Sequence, residues 1–282
     1  MTTAVQKVSS QVPGPALQRD PNILASDVLI PRLLLMQGTS DFVKERKAQL
    51  GDMVRSTNAE KLGDPDTPIN FIPLSSPQPT WIREARQKGA QRWEFRGIEK
   101  RDAGNDTLPW TFNADKEGIL LPDGARSDYE WRRVKCLTLF AILPQDIDAF
   151  QLEQKKAAEG ELPDFSKALA PIQFTFRSTG LRAGKEVTTY FTQAASFARG
   201  GYSAKPHAYS LKLECFLDTN DQGSYYVFRV NRDRPAKLTA EQLAEVEPWV
   251  AIVNSSAPNL KVDDILDAGE DAPLPGGTAT RF

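Results

Sequence analysis

Strict alternation of apolar and polar residues recurs along this chain, and it predicts strands. Ile172-Gln-Phe-Thr-Phe176 sets Ile172, Phe174 and Phe176 on one face. Tyr209 to Leu217 does so with Tyr209, Leu211, Leu213 and Cys215, and Ser224 to Val230 with Tyr226, Phe228 and Val230. The turn-rich stretch Asp218 to Gly223 joins those two as a hairpin. Val134 to Leu143 is a mostly apolar run whose second half reads as a fully buried strand. Shorter strands are predicted at Met53–Arg55, Asn70–Leu74 and Thr80–Arg83, and the β-branched, aromatic content of Glu186–Phe191 predicts another. Pro31 divides Val28–Met36 into a short extended piece and a buried one.

Helical signals are fewer. Asp146 to Ala170 reads as one or two polar helices broken near Gly160 and Pro163. Thr239 and Gln242 have the spacing of a capping box, opening a helix that runs to about Val253. Phe42 to Leu50 fits a short helix and a polar strand equally. Residues 101–130, punctuated by Gly104, Pro109, Gly118, Pro122 and Gly124, read as a long irregular connection. Residues 1–22 form a Gln-, Ser- and Pro-rich leader and 256–282 a tail with few core formers, both expected to be disordered. The expected fold is mostly β with several helices (α+β), with an oligonucleotide-binding (OB)-like β-barrel core and long loops. That core spans 23–255, with a candidate junction of two subdomains near 144–170.

Composition changes this picture chiefly through charge. The 282 residues are 26% charged and 40% hydrophobic, ordinary for a globular protein, and the net charge is only −2. From Leu169 to Lys237, however, ten Lys/Arg face five Asp/Glu, whereas from Leu260 to Phe282 two bases face five acids. A basic body therefore carries an acidic end, a distribution that suits a polyanion binder. Cys136 and Cys215 are the only cysteines, too few for a disulfide scaffold; reduced thiols are expected, and a single bridge stays open. The first twenty residues lack a signal-peptide core, and the longest apolar runs are too short to span a bilayer, so a cytoplasmic protein with no membrane partner is expected.

Catalytic chemistry finds little support. His207 is the only histidine, which excludes a multi-histidine metal site, and His207, Cys136 and Cys215 lack the short spacing of a zinc site. Gly180-Leu-Arg-Ala-Gly-Lys-Glu186 resembles a phosphate-binding loop one residue short, with Glu186 where a magnesium-binding hydroxyl belongs. A turn between strands is expected there instead. Asp123, Glu153 and Lys155 could be forced into a nuclease pattern, but Glu153 and Lys155 sit in a polar, helical stretch. A non-catalytic protein without cofactor or metal is expected.

Two segments mix cations with rings. Trp81 to Arg101 holds seven bases against three acids, and Phe197 to Tyr209 is a Gly- and Pro-containing loop. Single-stranded nucleic acid is held by this combination, cations following the phosphates while rings stack on unpaired bases. The phosphate-contact candidates are Arg83, Arg86, Lys88, Arg92, Arg199, Lys205 and Arg229; the stacking candidates are Trp81, Trp93, Tyr202 and Tyr209. The competing reading makes Trp81, Trp93 and Phe95 core residues of strands. No recognition helix or zinc module for reading duplex is present in the sequence pattern.

A basic, β-rich core followed by an acidic end closing on Phe282 resembles the bacterial and phage single-stranded DNA-binding proteins. Ile30-Pro-Arg-Leu33, Gln37-Gly-Thr-Ser40, Gly51-Asp-Met53 and Phe71-Ile-Pro-Leu74 resemble phage proteins of the replication and recombination region. The resemblance implies sequence-tolerant binding and protection of single-stranded DNA during phage replication or recombination, in the host cytoplasm. It also implies that the tail, through Asp263, Asp264, Asp267 and Phe282, modulates DNA binding or docks replication or recombination proteins, and it is compatible with an oligomer. The alternative is a phage structural or host-interaction protein that ignores nucleic acid.

Overall fold

The computed structural model describes residues 30–38, 40–87, 89, 94–99, 110–112, 117–120, 129–199, 205–220 and 223–256. The leader 1–22 and the tail beyond 256 lie outside the described residues. Strands β1 (Leu33–Leu35), β2 (Met53–Arg55) and β3 (Lys61–Gly63) form a small antiparallel sheet, with the four-residue helix α1 (Asp41–Lys44) between the first two. Then come β4 (Ile69–Pro73), β5 (Gln78–Gln87), β6 (Glu94–Glu99), β7 (Trp110–Phe112), β8 (Glu117–Leu120) and β9 (Tyr129–Ile142). After these follow α2 (Pro144–Ala158), β10 (Ile172–Arg177), α3 (Leu181–Arg199), β11 (Tyr209–Asn220), β12 (Gly223–Lys237) and α4 (Ala240–Ser256). The class is mostly β with several helices. No helix among the described residues is long and apolar enough to cross a membrane.

The long strand β9 organises the larger sheet, whose main path is β12-β11-β4-β9-β5-β6. Along one edge it pairs with β5 over Tyr129–Thr138 and then with β4 at Ala141–Ile142. Along the other it pairs with β8 over Arg132–Val134 and then with β10 over Cys136–Ala141. Because side chains alternate along a strand, β9 feeds two cores. Leu139 and Ala141 join Leu33, Phe71, Phe174, Leu211 and Val230 in the main one. Phe140 and Ile142 join Ile147 of α2 and Val246 and Val253 of α4 in the other. Thr239 and Gln242 do form the capping box of α4, each backbone N–H donating to the other's side-chain oxygen at 3.2 and 3.1 Å.

The closed barrel expected from the sequence is not formed: the sheets stay open. β1 reaches β10 through a parallel bridge at Arg32 and Gln173, but no backbone ladder joins it to β12 among the described residues. The chain turns away after three residues, with the Gln37 N–H donating to Ser40 Oγ at 2.8 Å, so β1 is too short to extend along β12. A side chain spans the seam instead. Gln37 Nε2 donates to the Tyr226 carbonyl at 2.8 Å, and Gln37 Oε1 accepts from the Tyr226 N–H at 2.9 Å.

Three further expectations are corrected. The segment Glu186–Phe191, read as a strand, lies within α3. Ala183, Val187, Tyr190 and Ala194 recur at helical spacing and are buried, and this packing outweighs local β propensity. The Thr188, Thr189 and Thr192 hydroxyls donate to carbonyls one turn back at 2.9 to 3.2 Å, so their polar groups are satisfied within the helix. The glycine-rich stretch before them opens that helix and is not a turn between strands; a short 3₁₀ turn, Ser178–Gly180, with Ser178 at φ 47°, leads into it. The connection over 101–130 holds the β7–β8 hairpin and the start of β9, where the backbone ladder of a longer sheet imposes order on a Gly- and Pro-rich sequence.

Candidate nucleic-acid interface

Pairing of β5 with β9 is continuous from Gln78–Thr138 to Gln87–Tyr129. This register and the period of two set positions 81, 83, 85 and 87 on one face with 129, 131, 133 and 135. Trp81 stands opposite Lys135, Arg83 opposite Arg133, Ala85 opposite Trp131 and Gln87 opposite Tyr129. The Arg133 guanidinium lies over the Trp81 indole, 4.8 Å from the ring centroid. Trp81 is half-buried and Lys135 exposed. Three basic positions and a ring already faced by a cation thus occupy a single surface.

The opposite face of the same ladder is structural. Glu84 accepts from Arg132 Nε at 2.6 Å and from an Arg177 Nη at 2.8 Å, and all three side chains are at most 5% exposed. The carboxylate ties β5 to β9 and β10 at once. Ile82, Val134 and Cys136 form a small apolar cluster on this face. Arg86 lies on it too and donates to Glu130 at 2.6 Å.

Helix α3 borders the basic face. Leu137, two residues beyond Lys135 on the same side of β9, meets Gly184: a Cβ there would stand 2.9 Å from the Leu137 Cβ and 3.0 Å from the Phe176 ring. Glycine is what lets the helix seat so near the sheet.

The structure brings Trp81 and Arg83 onto one face, adds Arg133 and Lys135, and sets Lys205 and Tyr209 apart from them. Lys205 is ion-paired with Glu247 of α4 at 2.5 Å. Tyr209 is half-buried at the start of β11, beside the Pro206–Ala208 turn that Tyr190 holds through its hydroxyl at 2.8 Å. That corner adjoins the Ile142 end of β9, seven residues from Lys135, or about 24 Å along the strand. Arg229 is exposed on β12, and Arg199 ends α3. Lys88, Arg92, Trp93, Tyr202, Asp263, Asp264, Asp267 and Phe282 lie outside the described residues, as does Asp123. Sequence reasoning missed Arg133 and Lys135. The alternation of Tyr129, Trp131, Arg133 and Lys135 against Glu130, Arg132 and Val134 was the signal that marks them.

The remaining reactive groups have structural surroundings. Glu153 accepts from Lys156 Nζ at 2.6 Å and the Asp164 N–H at 2.7 Å, so it clamps the end of α2. The Asp164 N–H, then the Lys156 ammonium, hold its carboxyl below the usual range. Burial, and to a lesser extent Lys205, push the His207 imidazole below its ordinary value. Cys136 and Cys215 are both buried thiols, and burial pushes the Cys215 thiol up to about 12. Among the described residues no three His, Cys, Asp or Glu side chains gather as a metal site would require. No protein family, curated protein or solved structure matches this chain.

Proposed function

We propose that this chain binds single-stranded DNA with little sequence preference, as a phage-type protector of the strand in replication or recombination, and that the β5–β9 face receives it. The Trp81–Arg133 stack directly beside Lys135 carries the reading. A flat ring held by a guanidinium offers a platform for an unpaired base, while Lys135 and the neighbouring arginine positions meet the phosphates on either side. Stacking and phosphate contacts carry no base identity, so affinity comes from ring and charge and weakens with salt. The reading of the fold as an OB-type barrel, opened at one seam, rests on the main core shared by β1, β4, β9, β10, β11 and β12 and on the Gln37 bridge across that seam. The acidic tail modulates binding or recruits partners in this scheme.

Titration of oligo(dT) against intrinsic tryptophan fluorescence tests it. Binding quenches the signal, and Trp81→Ala weakens affinity by about 1–3 kcal/mol, the contribution of one stacked base, or roughly 5- to 150-fold. Absence of oligo(dT) binding in the micromolar range at low salt refutes the proposal. A second reading, a phage structural or host-interaction protein, is favoured by Leu162 and Phe165, which are 86% and 76% exposed on the connection after α2. It predicts defined assemblies or a captured protein partner that Leu162→Ser and Phe165→Ser abolish, with single strands ignored.

A further inference from the structure

A groove of about 410 Å³ runs between the first turns of α3 and the β11–β12 hairpin. Its cations are Arg182, Arg229 and Arg232, its acids Glu186 and Asp218, and its rings Phe216 and Phe228. These charges are not equivalent. Arg232 donates to Glu186 at 2.6 Å and to Gln193 at 2.6 Å, so this arginine and this carboxylate satisfy one another while fixing α3 to β12. Asp218 accepts from the Thr219 N–H at 2.9 Å. Arg182 and Arg229 are both exposed, and no ion pair joins either to another described residue. Three cations against two carboxylates leave the groove with one net positive charge.

The rings also differ. Phe228 is partly buried and meets Phe176 edge-on at 5.9 Å, which anchors it in the main core. Phe216 is 42% exposed at the groove wall, whereas Cys215 before it on β11 is 4% exposed. An exposed ring and two exposed cations lining one groove make a place for a planar group flanked by anions. One nucleotide with its two phosphates has that chemistry.

The groove also lies next to the face already described. Gly184 seats α3 on Leu137, one repeat of the strand from Lys135, and Arg182 is two residues earlier in the same helix. A chain leaving Lys135 along β9 meets this end of α3 at once. We propose that the groove is a second subsite for the same single strand, with Phe216 stacking a base and Arg182 and Arg229 holding the adjacent phosphates. This inference rests on the β5–β9 reading, and it makes the footprint of the strand cross the start of α3.

The test is the salt dependence of binding to an oligo(dT) of about sixteen nucleotides, long enough to cover both places. For the full chain carrying Arg182→Ala and Arg229→Ala, the log–log salt slope falls by about 1.4, two single-strand phosphate contacts at about 0.7 each. Arg182→Lys with Arg229→Lys restores it, which a merely structural role would not do. Phe216→Ala weakens binding by about fivefold or more at fixed salt. Slope and affinity unchanged in both variants, while Lys135→Ala still lowers the slope, overturn the groove and leave the β5–β9 face standing. Wild-type protein that ignores oligo(dT) overturns both.

Discussion

Replacing Glu84 by glutamine isolates the interaction that holds the basic face in place. The carboxylate is 3% exposed and bonds Arg132 and Arg177, themselves 4% and 5% exposed. Glutamine keeps the shape but withdraws the Glu84 charge from two buried guanidinium groups, and it points amide hydrogens at donors. Breaking a buried pair in this way costs about 3–5 kcal/mol. With a urea m-value of about 3 kcal/mol/M, the unfolding midpoint falls by roughly 1 to 1.7 M. The control is Arg86→Ala, which breaks a pair of similar geometry with Glu130 at 29% and 42% side-chain exposure. Solvent already screens that pair, and its loss costs at most about 1 kcal/mol. Equilibrium unfolding followed by circular dichroism measures both. A Glu84→Gln midpoint within about 0.3 M of wild type, or a larger loss for Arg86→Ala, refutes the argument that burial decides the energetics of these pairs.

Three other outcomes follow from the same reasoning. His207 has a depressed folded pKa against an ordinary 6.5, so its stabilising share is complete above pH 6.5 and is lost as pH falls through the folded value. Urea midpoints taken from neutral pH to about pH 5 decline, and His207→Gln, still facing Lys205 and Glu247, makes the decline shallower; an identical slope contradicts the assignment. Gly184→Ala forces a methyl to 2.9 Å from Leu137 and destabilises the protein by about 1–3 kcal/mol in urea titration. Deleting residues 260–282 removes five acids and two bases and tightens oligo(dT) binding at low salt; unchanged affinity argues against any modulating role for the tail.

Much of the strand framework was legible because it depends on short-range alternation. Ile172–Phe176 and the Tyr209–Val230 hairpin are paired strands, with Ile172, Phe174, Phe176, Leu211, Leu213, Cys215 and Val230 buried on the faces their alternation predicts, although β10 is buried on its other face as well. The errors came where distant partners decide. Val187-Thr-Thr-Tyr-Phe191 has strand chemistry, and only a sheet surface at Leu137 and Phe176, set far away in sequence, selects the helix. Glu84 reads as one charge among many between Trp81 and Arg101, yet Arg177, 93 residues away, makes it a buried one. Barrel closure depended on whether β1 continued past Met36, which hydrophobicity does not reveal. The interface was half visible. Charge and aromaticity mark Trp81, Arg83 and Arg86 alike, whereas parity along the strand places Arg86 on the other side. Arg133 and Lys135 lie on the facing strand, beyond the reach of a local count of bases.

Photo-crosslinking tests the central assignment most directly, because it reports where the strand lies as well as whether it binds. Irradiation of the full chain with an oligo(dT) carrying 5-iodouracil, followed by peptide mapping, should place adducts on Trp81 and its neighbours in β5 and on Arg133–Lys135 of β9. Adducts confined to α2 and α4, or efficient crosslinking that survives unchanged in Trp81→Ala with Lys135→Ala, would contradict the account.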